Sequence, residues 1–135
     1  MPETAAQKQT LARWVLALFF IVAGVNHFIS PSIYLEMMPA WLPAKETANL
    51  ISGAAEIAGG FGLLIASLRR AASWGLIALL VAVFPANVHV ALQGHMAGLN
   101  ASAWVLWLRL PLQAVFIAWV WWVGLARNKP APPSQ

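Results

Sequence analysis

Residues 52–60 read SGAAEIAGG and place one carboxylate, Glu56, inside a long apolar run. No lysine or arginine lies within ten residues of it on either side. An ionised carboxylate that faces lipid costs at least about 2.5–3.5 kcal/mol. The glutamate must therefore face a protein interior, be paired, or be protonated, and the fold has to provide for one of these.

The composition is typical of a membrane protein. Hydrophobic residues make up 61% of the 135 residues and charged residues 9%, against roughly 25% charged residues in soluble proteins. Four apolar runs each approach the ~20 residues that a helix needs to cross a bilayer, and none alternates like a membrane strand. The sequence therefore predicts one domain, residues 1–135, that is an all-α four-helix transmembrane bundle with helices at about 11–29, 48–68, 71–93 and 103–125.

Basic residues divide unevenly between the two ends of the predicted helices. Lys45 lies in the first connection, and six residues lie on the other side: Lys8, Arg13, Arg69, Arg70, Arg127 and Lys129. The positive-inside rule then predicts that both termini are cytoplasmic, in a bacterial cytoplasmic (inner) membrane. We attribute the net charge of +4 to topology and anionic lipid, and not to nucleic-acid binding.

The first connection, SPSIYLEMMPAWLPAKE at residues 30–46, is too apolar for a solvated loop. We expect an interfacial segment between helices 1 and 2, which either anchors the chain in the interface or covers the mouth of the bundle as a lid. The chain has no cysteine, which excludes disulfides, thiolate metal sites and a thiol relay.

Polar residues within the apolar runs share one depth. Glu56 lies about ten residues from the outer end of its run, or ~15 Å deep. Gly53, Gly59 and Gly60 flank it at helical spacing and allow another helix to approach closely. These positions predict one polar, ligand-binding pocket in the outer half of the bilayer, with Glu56 at its floor and Arg109 as its charge partner. The predicted lining residues are Asn26, His27, Glu56, Asn87, His89, Arg109 and Gln113.

Simpler roles are open for several of these residues. Arg109 can extend to the headgroups, and Asn87 can bond the backbone carbonyl that Pro85 leaves without a donor. A metal site would combine two histidines and one carboxylate, namely His27, Glu56 and His89. No local spacing motif supports that set or a haem between the histidines, so we predict no metal ligand and no catalytic residue.

Three stretches resemble the DoxX and DoxX-like family of small four-helix membrane proteins. They are GVNHFISPSIYLEMMPAWLP at 24–43, SGAAEIAGGFGLL at 52–64 and GLIALLVAVFPANVHVAL at 75–92. The resemblance covers about residues 11–125 and lies in the order and spacing of the stretches. It implies a membrane subunit linked to an oxidoreductase complex. The residues that match the family's polar positions are Asn26, His27, Glu56, Asn87 and His89; Arg109 rests on its depth alone.

Three functions follow as alternatives. The first is a subunit of a membrane redox complex, itself non-catalytic or quinone-interacting, whose pocket holds a quinone or another lipophilic ligand. Its electrons must come from another membrane or redox subunit, because the sequence has no flavin, haem or iron–sulfur motif. The second is a non-catalytic partner-binding or assembly factor, and the third is a metal-dependent membrane enzyme. Association with the lipid bilayer is common to all three, and a homo-oligomer is compatible with each.

Overall fold

The computed structural model describes residues 2–94 and 102–127. In these residues it contains α-helices and no strand. The helices, in chain order, are α1 (Ala5–Ile29), α2 (Pro31–Met37), α3 (Lys45–Leu64), α4 (Arg69–Gln93) and α5 (Ala103–Gly124).

The predicted four-helix transmembrane bundle is wrong in two respects. The described residues form five helices, and three of these, α1, α4 and α5, are long and apolar enough to cross a membrane. Helix α3 is not among them, because its 20 residues include four glycines as well as Asn49, Ser52 and Glu56, which lower its hydropathy. The prediction that both termini are cytoplasmic assumed four membrane spans. With three candidate spans, that assumption no longer applies.

Local signals at the helix ends explain why the boundaries moved. Helix α1 begins at Ala5 because Thr4 and Gln7 form a capping box, in which each side chain accepts a bond from the other residue's backbone N–H. Helix α2 begins at Pro31, whose fixed φ suits the first turn of a helix. Ala44, in the left-handed region at φ 52°, reverses the chain before α3.

Helix α3 packs mainly against α1 and also against α4. Glycines allow the close approach to α1. A Cβ atom on Gly53 would lie 2.7 Å from the His27 Cβ and 2.9 Å from the Gly24 carbonyl oxygen, and one on Gly60 would lie 2.8 Å from the Ala17 carbonyl oxygen. The backbones of α1 and α3 are therefore in near contact, and close packing at these glycines holds α3 against α1.

Two apolar clusters lie at different levels of the molecule. The larger one joins α1, α3, α4 and α5 and consists of Leu16, Ala17, Phe20, Leu63, Leu76, Val120 and Val123. The smaller one joins α2, α4 and α5 and consists of Met37, Val90 and Leu106.

Side chains of α1 and α4 bond the last carbonyls of α5 and α3. Gln9 Nε2 donates to the Trp122 carbonyl at 2.7 Å, and Arg13 Nε donates to the Val123 carbonyl at 3.0 Å. Arg69 Nε donates to the Leu63 carbonyl at 2.9 Å. These bonds satisfy acceptors that a helix cannot satisfy for itself, and they bring the start of α1 to the end of α5.

The outer faces of the candidate spans are apolar and uncovered. Only a minority of the residues in the three spans are buried, and large apolar side chains there stay exposed, among them Trp14, Val22, Val81, Trp107 and Val115. Such surfaces suit hydrocarbon and not water. The chain is therefore an integral membrane protein by the length and composition of three helices.

Candidate functional site

A cavity of about 350 Å³ lies between the two apolar clusters. Helices α1 to α5 all contribute to its wall. Its apolar lining includes Phe19, Phe20, Leu80 and Phe116, and its polar lining consists of His27, Tyr34, Ser52, Glu56, Asn87, Arg109 and Gln113. Five of the seven residues singled out in the sequence thus share one cavity, and whether they bind a ligand stays a prediction.

His27, at the outer wall of this cavity, is held in place by Asn49. The side-chain carbonyl oxygen of Asn49 lies 2.7 Å from His27 Nδ1, and the Asn49 amide donates to the His27 backbone carbonyl at 3.0 Å. Both residues are buried, and Asn49 is only 1% exposed. Because a carbonyl oxygen can only accept, Nδ1 must carry a proton. The imidazole is thus fixed in orientation and in tautomer.

The other ring nitrogen of His27 faces Glu56. Nε2 lies 3.4 Å from Glu56 Oε2, and the two side chains are 8% and 17% exposed. Since Nδ1 keeps its proton, Nε2 faces the carboxylate with a lone pair unless the pair takes up one further proton. The pair with that proton is neutral overall, which avoids the cost of an isolated charge in an apolar surrounding.

Glu56 Oε2 also has unused hydrogen-bonding capacity. At 3.4 Å its contact with His27 is longer than a good hydrogen bond, and the oxygen is buried without a hydrogen-bond partner among the described residues. Buried acceptors in folded proteins almost always have a donor. This oxygen belongs to a residue that lines the cavity, so a donor entering the cavity can supply the missing bond.

Helix α2 covers the cavity beside His27. The Tyr34 ring stacks on the imidazole with centroids 3.7 Å apart and planes 18° apart. The Tyr34 hydroxyl accepts a bond from Asn26 Nδ2 at 2.8 Å, and Met37 and Met38 add apolar surface to the wall. Residues Pro31–Met37 of the first connection therefore form a helix that contributes to the cavity wall.

The opposite wall of the cavity is tied together by amides. Asn87 Nδ2 donates to Gln113 Oε1 at 2.7 Å, and Gln113 Nε2 donates to the Leu80 backbone carbonyl. These bonds join α4 to α5 one turn from Pro85, which cannot donate to the carbonyl four residues before it. Asn87 and Gln113 thus serve the structure of α4 and also line the cavity.

Arg109 lines the same cavity from α5. Its depth in the sequence predicted that it is the charge partner of Glu56, but the structure places the His27 ring against that carboxylate. His27 reaches it because α1 and α3 cross at Gly24 and Gly53, a crossing that depth along single helices does not show. Arg109 instead brings a cation to the cavity wall.

Asn26 and His89 do not line the cavity. Asn26 bonds Tyr34 behind the cover, and His89 is half-buried on α4. In the described part of the chain no three histidine, aspartate or glutamate side chains come close enough to hold a metal ion. The set of His27, Glu56 and His89 is therefore not assembled.

Sequence reasoning missed Asn49 and Tyr34. Asn49 lies seven residues before Glu56, which is two helical turns on the same face, so the spacing alone could have included it. Tyr34 had no such signal, because its position depends on α2 folding back over α1. Phe28 and Trp104, the side chains able to fill such a space, are 47% and 68% exposed and lie outside the lining.

Comparison with curated proteins found no match, and comparison with solved structures found none either. One family model matches, described as "Domain of unknown function (DUF8561)", and it covers residues 16–124. The match runs from the middle of α1 to the last residue of α5, so it includes every helix that lines the cavity. The chain therefore belongs to the DUF8561 family.

Proposed function

We propose that the protein binds a membrane-soluble small molecule in the cavity between its two apolar clusters. The observation that carries the proposal is the buried Glu56 Oε2, which lacks a hydrogen-bond partner among the described residues beside a His27 of fixed tautomer. A cavity of about 350 Å³ falls in the range of small-molecule sites, which are mostly apolar with a few convergent polar groups.

The lining favours a flat ligand with an oxygen atom at its edge. Phe19, Phe20 and Phe116 offer aromatic surface, and Phe19 and Phe116 already stack with centroids 4.8 Å apart. His27 and Arg109 offer N–H groups to an oxygen acceptor. The volume holds a substituted ring but not a long isoprenoid tail, so a tail would extend beyond the cavity. A quinone head group has this shape: its carbonyl oxygen accepts from an N–H group, and in the reduced quinol form its hydroxyl can donate to Glu56 Oε2.

His27 and Glu56 are suited to hold a proton at the edge of such a ring. A quinone takes up two electrons and two protons on reduction to the quinol. Since Asn49 retains the Nδ1 proton, His27 exchanges protons only through Nε2, the nitrogen that faces Glu56. The electrons must come from another subunit, because the sequence has no cysteine and no redox-cofactor motif.

The assignment to a redox complex is the second step of the proposal. It rests on the resemblance of residues 11–125 to the DoxX family, as does placement in a bacterial cytoplasmic membrane. Ligand binding does not depend on this step, because it rests on the cavity alone. A partner-binding or assembly role remains the competing proposal, and it needs no ligand at all.

The test is binding of a short-tailed quinone, decylubiquinone, to the purified full chain in detergent. Glu56→Gln should weaken the Kd at least about tenfold, or ~1.4 kcal/mol, because the amide cannot share the proton. Glu46→Gln makes the same chemical change on an exposed first-turn residue of α3 and should leave the Kd unchanged.

Two results would contradict this proposal. One is the absence of saturable decylubiquinone binding together with the absence of any quinone in lipid extracted from the purified protein. The other is binding that Glu56→Gln and Glu46→Gln affect equally. Copurification of a stable partner subunit without a bound lipophile would favour the partner-binding role.

A further inference from the structure

A second polar group lies at the other end of the molecule, where α1 and α4 begin and α3 and α5 end. Two arginines meet there, each tied by one nitrogen to a helix terminus. Arg13 Nε donates to the Val123 carbonyl at 3.0 Å, and Arg69 Nε donates to the Leu63 carbonyl at 2.9 Å. These bonds hold each guanidinium group through its Nε atom. The two Nη atoms of each group take no part in these bonds.

Leu63 and Val123, whose carbonyls hold the two arginines, belong to one apolar cluster, so the two cationic side chains lie at the same end of that cluster and their charges repel each other. Both side chains are half-buried, so water screens this repulsion less than at an open surface. The chain has only four acidic residues, and within residues 2–94 and 102–127 neither Arg13 nor Arg69 forms an ion pair with any of them. No carboxylate in the described part of the chain therefore neutralises the arginine pair.

The surroundings place this pair at the level of lipid headgroups. Three further basic residues, Lys8, Arg70 and Arg127, belong to the same end of the molecule by chain position. Four tryptophans near the same helix ends are at least 40% exposed, namely Trp14, Trp74, Trp121 and Trp122. Tryptophan concentrates at membrane interfaces because its ring is apolar and its N–H is polar.

We infer that Arg13 and Arg69 together bind the phosphate group of an anionic phospholipid at this end of the protein. Guanidinium forks match phosphate oxygens in geometry, and an anion between two arginines removes their mutual repulsion. Free inorganic phosphate has the same chemistry at the binding atoms. The lipid is the source proposed here, because the exposed tryptophans and apolar helix faces beside the pair can hold acyl chains.

The test is thermal unfolding of the full chain in detergent with added phosphatidylglycerol, phosphatidylcholine or inorganic phosphate. Phosphatidylglycerol at about a hundredfold excess over its Kd should raise the Tm by about 10 °C, and the other two additions should raise it far less. Native mass spectrometry below the Tm counts the lipids that the folded protein retains.

Three variants separate the site from general charge. Arg69→Gln should abolish the extra stabilisation by phosphatidylglycerol. Arg69→Lys keeps a cation and a donor for Leu63 but lacks the planar fork, so it should fold and retain fewer anionic lipids. Arg70→Gln removes one charge from the exposed neighbouring side chain and should leave both measurements as in the unmodified protein.

Three results would overturn the inference. The first is equal stabilisation by phosphatidylglycerol and phosphatidylcholine. The second is equal stabilisation by inorganic phosphate, which would make the acyl chains irrelevant. The third is equal loss in Arg70→Gln and Arg69→Gln, which would indicate attraction to total charge. None of these measurements involves the cavity, so their outcome is independent of the proposed ligand.

Discussion

At the scale of single residues, Asn49 determines how His27 can act. Its carbonyl and amide bond two different groups of the same histidine, so the ring can neither turn over nor give up its Nδ1 proton without losing a buried bond. Any proton that His27 exchanges must pass through Nε2, on the side of Glu56 and the cavity. Asn49 is therefore a positioning residue for the proposed site.

Replacement of Asn49 by leucine should destabilise the protein by about 2–4 kcal/mol. The leucine has a similar volume but leaves His27 Nδ1 and the His27 carbonyl without partners, and each orphaned buried group costs ~1–3 kcal/mol. Unfolding in detergent measures this loss. Nitrogen NMR of the labelled ring should show Nδ1 protonated in the unmodified protein and a mixture of tautomers in the variant.

Asn26→Leu is the matched control for this change. Asn26 makes one partly buried bond, to the Tyr34 hydroxyl, so its replacement should cost only about 1 kcal/mol and leave the His27 tautomer unchanged. An equal loss of stability in both variants, or a ring that is protonated at Nε2 alone, would show that Asn49 does not set the tautomer.

Depth along single helices grouped five of the residues that line the cavity, but it also included Asn26 and His89 and did not show which residues touch. Glu56, Asn87 and Gln113 could be grouped because a helix rises ~1.5 Å per residue, so position in the sequence gives depth. The pairing of Glu56 with His27 depends on how α1 is rotated about its axis, and side-chain packing sets that rotation. The stacking of Tyr34 depends on the fold of α2, which the sequence showed only as an apolar connection.

At the scale of the elements, glycine position determines how closely helices pack. A Cβ on Gly53 would lie 2.7 Å from the His27 Cβ and 2.9 Å from the Gly24 carbonyl oxygen, whereas a Cβ on Gly75 would have no atom within 4 Å. At Gly53 the added Cβ would meet a backbone oxygen, that of Gly24, which cannot move unless α1 and α3 separate. The space around Gly75 is open, so a substitution there changes stability only through helix propensity.

Gly53→Ala and Gly75→Ala should therefore change stability in opposite directions. We expect Gly53→Ala to destabilise the protein by about 1–3 kcal/mol, the usual cost of overpacking, and to weaken ligand binding because it shifts His27. Gly75→Ala should stabilise it by up to about 1 kcal/mol, since alanine favours a helix over glycine. Thermal unfolding of both variants in one detergent makes the comparison, and equal effects of the same sign would contradict it.

Helix α2 shows where element prediction from sequence failed. The apolar character of residues 30–46 predicted an interfacial segment or a lid, but three prolines concealed a helix. Pro31 starts that helix at its first turn, where a missing N–H costs nothing. Ile33 and Met37 then face the smaller apolar cluster at i and i+4, which gives the short helix a buried side.

At the scale of the whole molecule, α3 differs from the other long helices. Helices α1, α4 and α5 carry apolar surface on most sides, but α3 carries glycines, Asn49 and Glu56. His27 of α1 bonds Asn49 and faces Glu56. The place of α3 in the fold thus depends on partners within the chain. Counting apolar runs does not detect such partners, so it wrongly counted α3 as a fourth membrane span.

Isolated helices should therefore insert into a membrane with unequal efficiency. The six leucine, isoleucine and phenylalanine residues of α3 contribute roughly −2 to −4 kcal/mol to insertion, and a central charge such as Glu56 opposes it by about 2.5–3.5 kcal/mol. Asn49 and four glycines add further cost, so α3 alone should stay mostly outside the bilayer. Each helix, placed in a host membrane protein with glycosylation sites on both flanks, reports its own insertion.

In this assay α1, α4 and α5 should insert in most molecules, and α3 in a minority. Glu56→Leu should convert α3 into an efficient span, because it replaces the central cost with a gain of about 0.5 kcal/mol. Glu46→Leu, in the first turn of the same helix, should change insertion little, since charges near a helix end reach the interface. If α3 inserted as efficiently as α5, its hydropathy alone would be sufficient for insertion. The contacts of His27 with Asn49 and Glu56 would then not be needed to hold α3 in place.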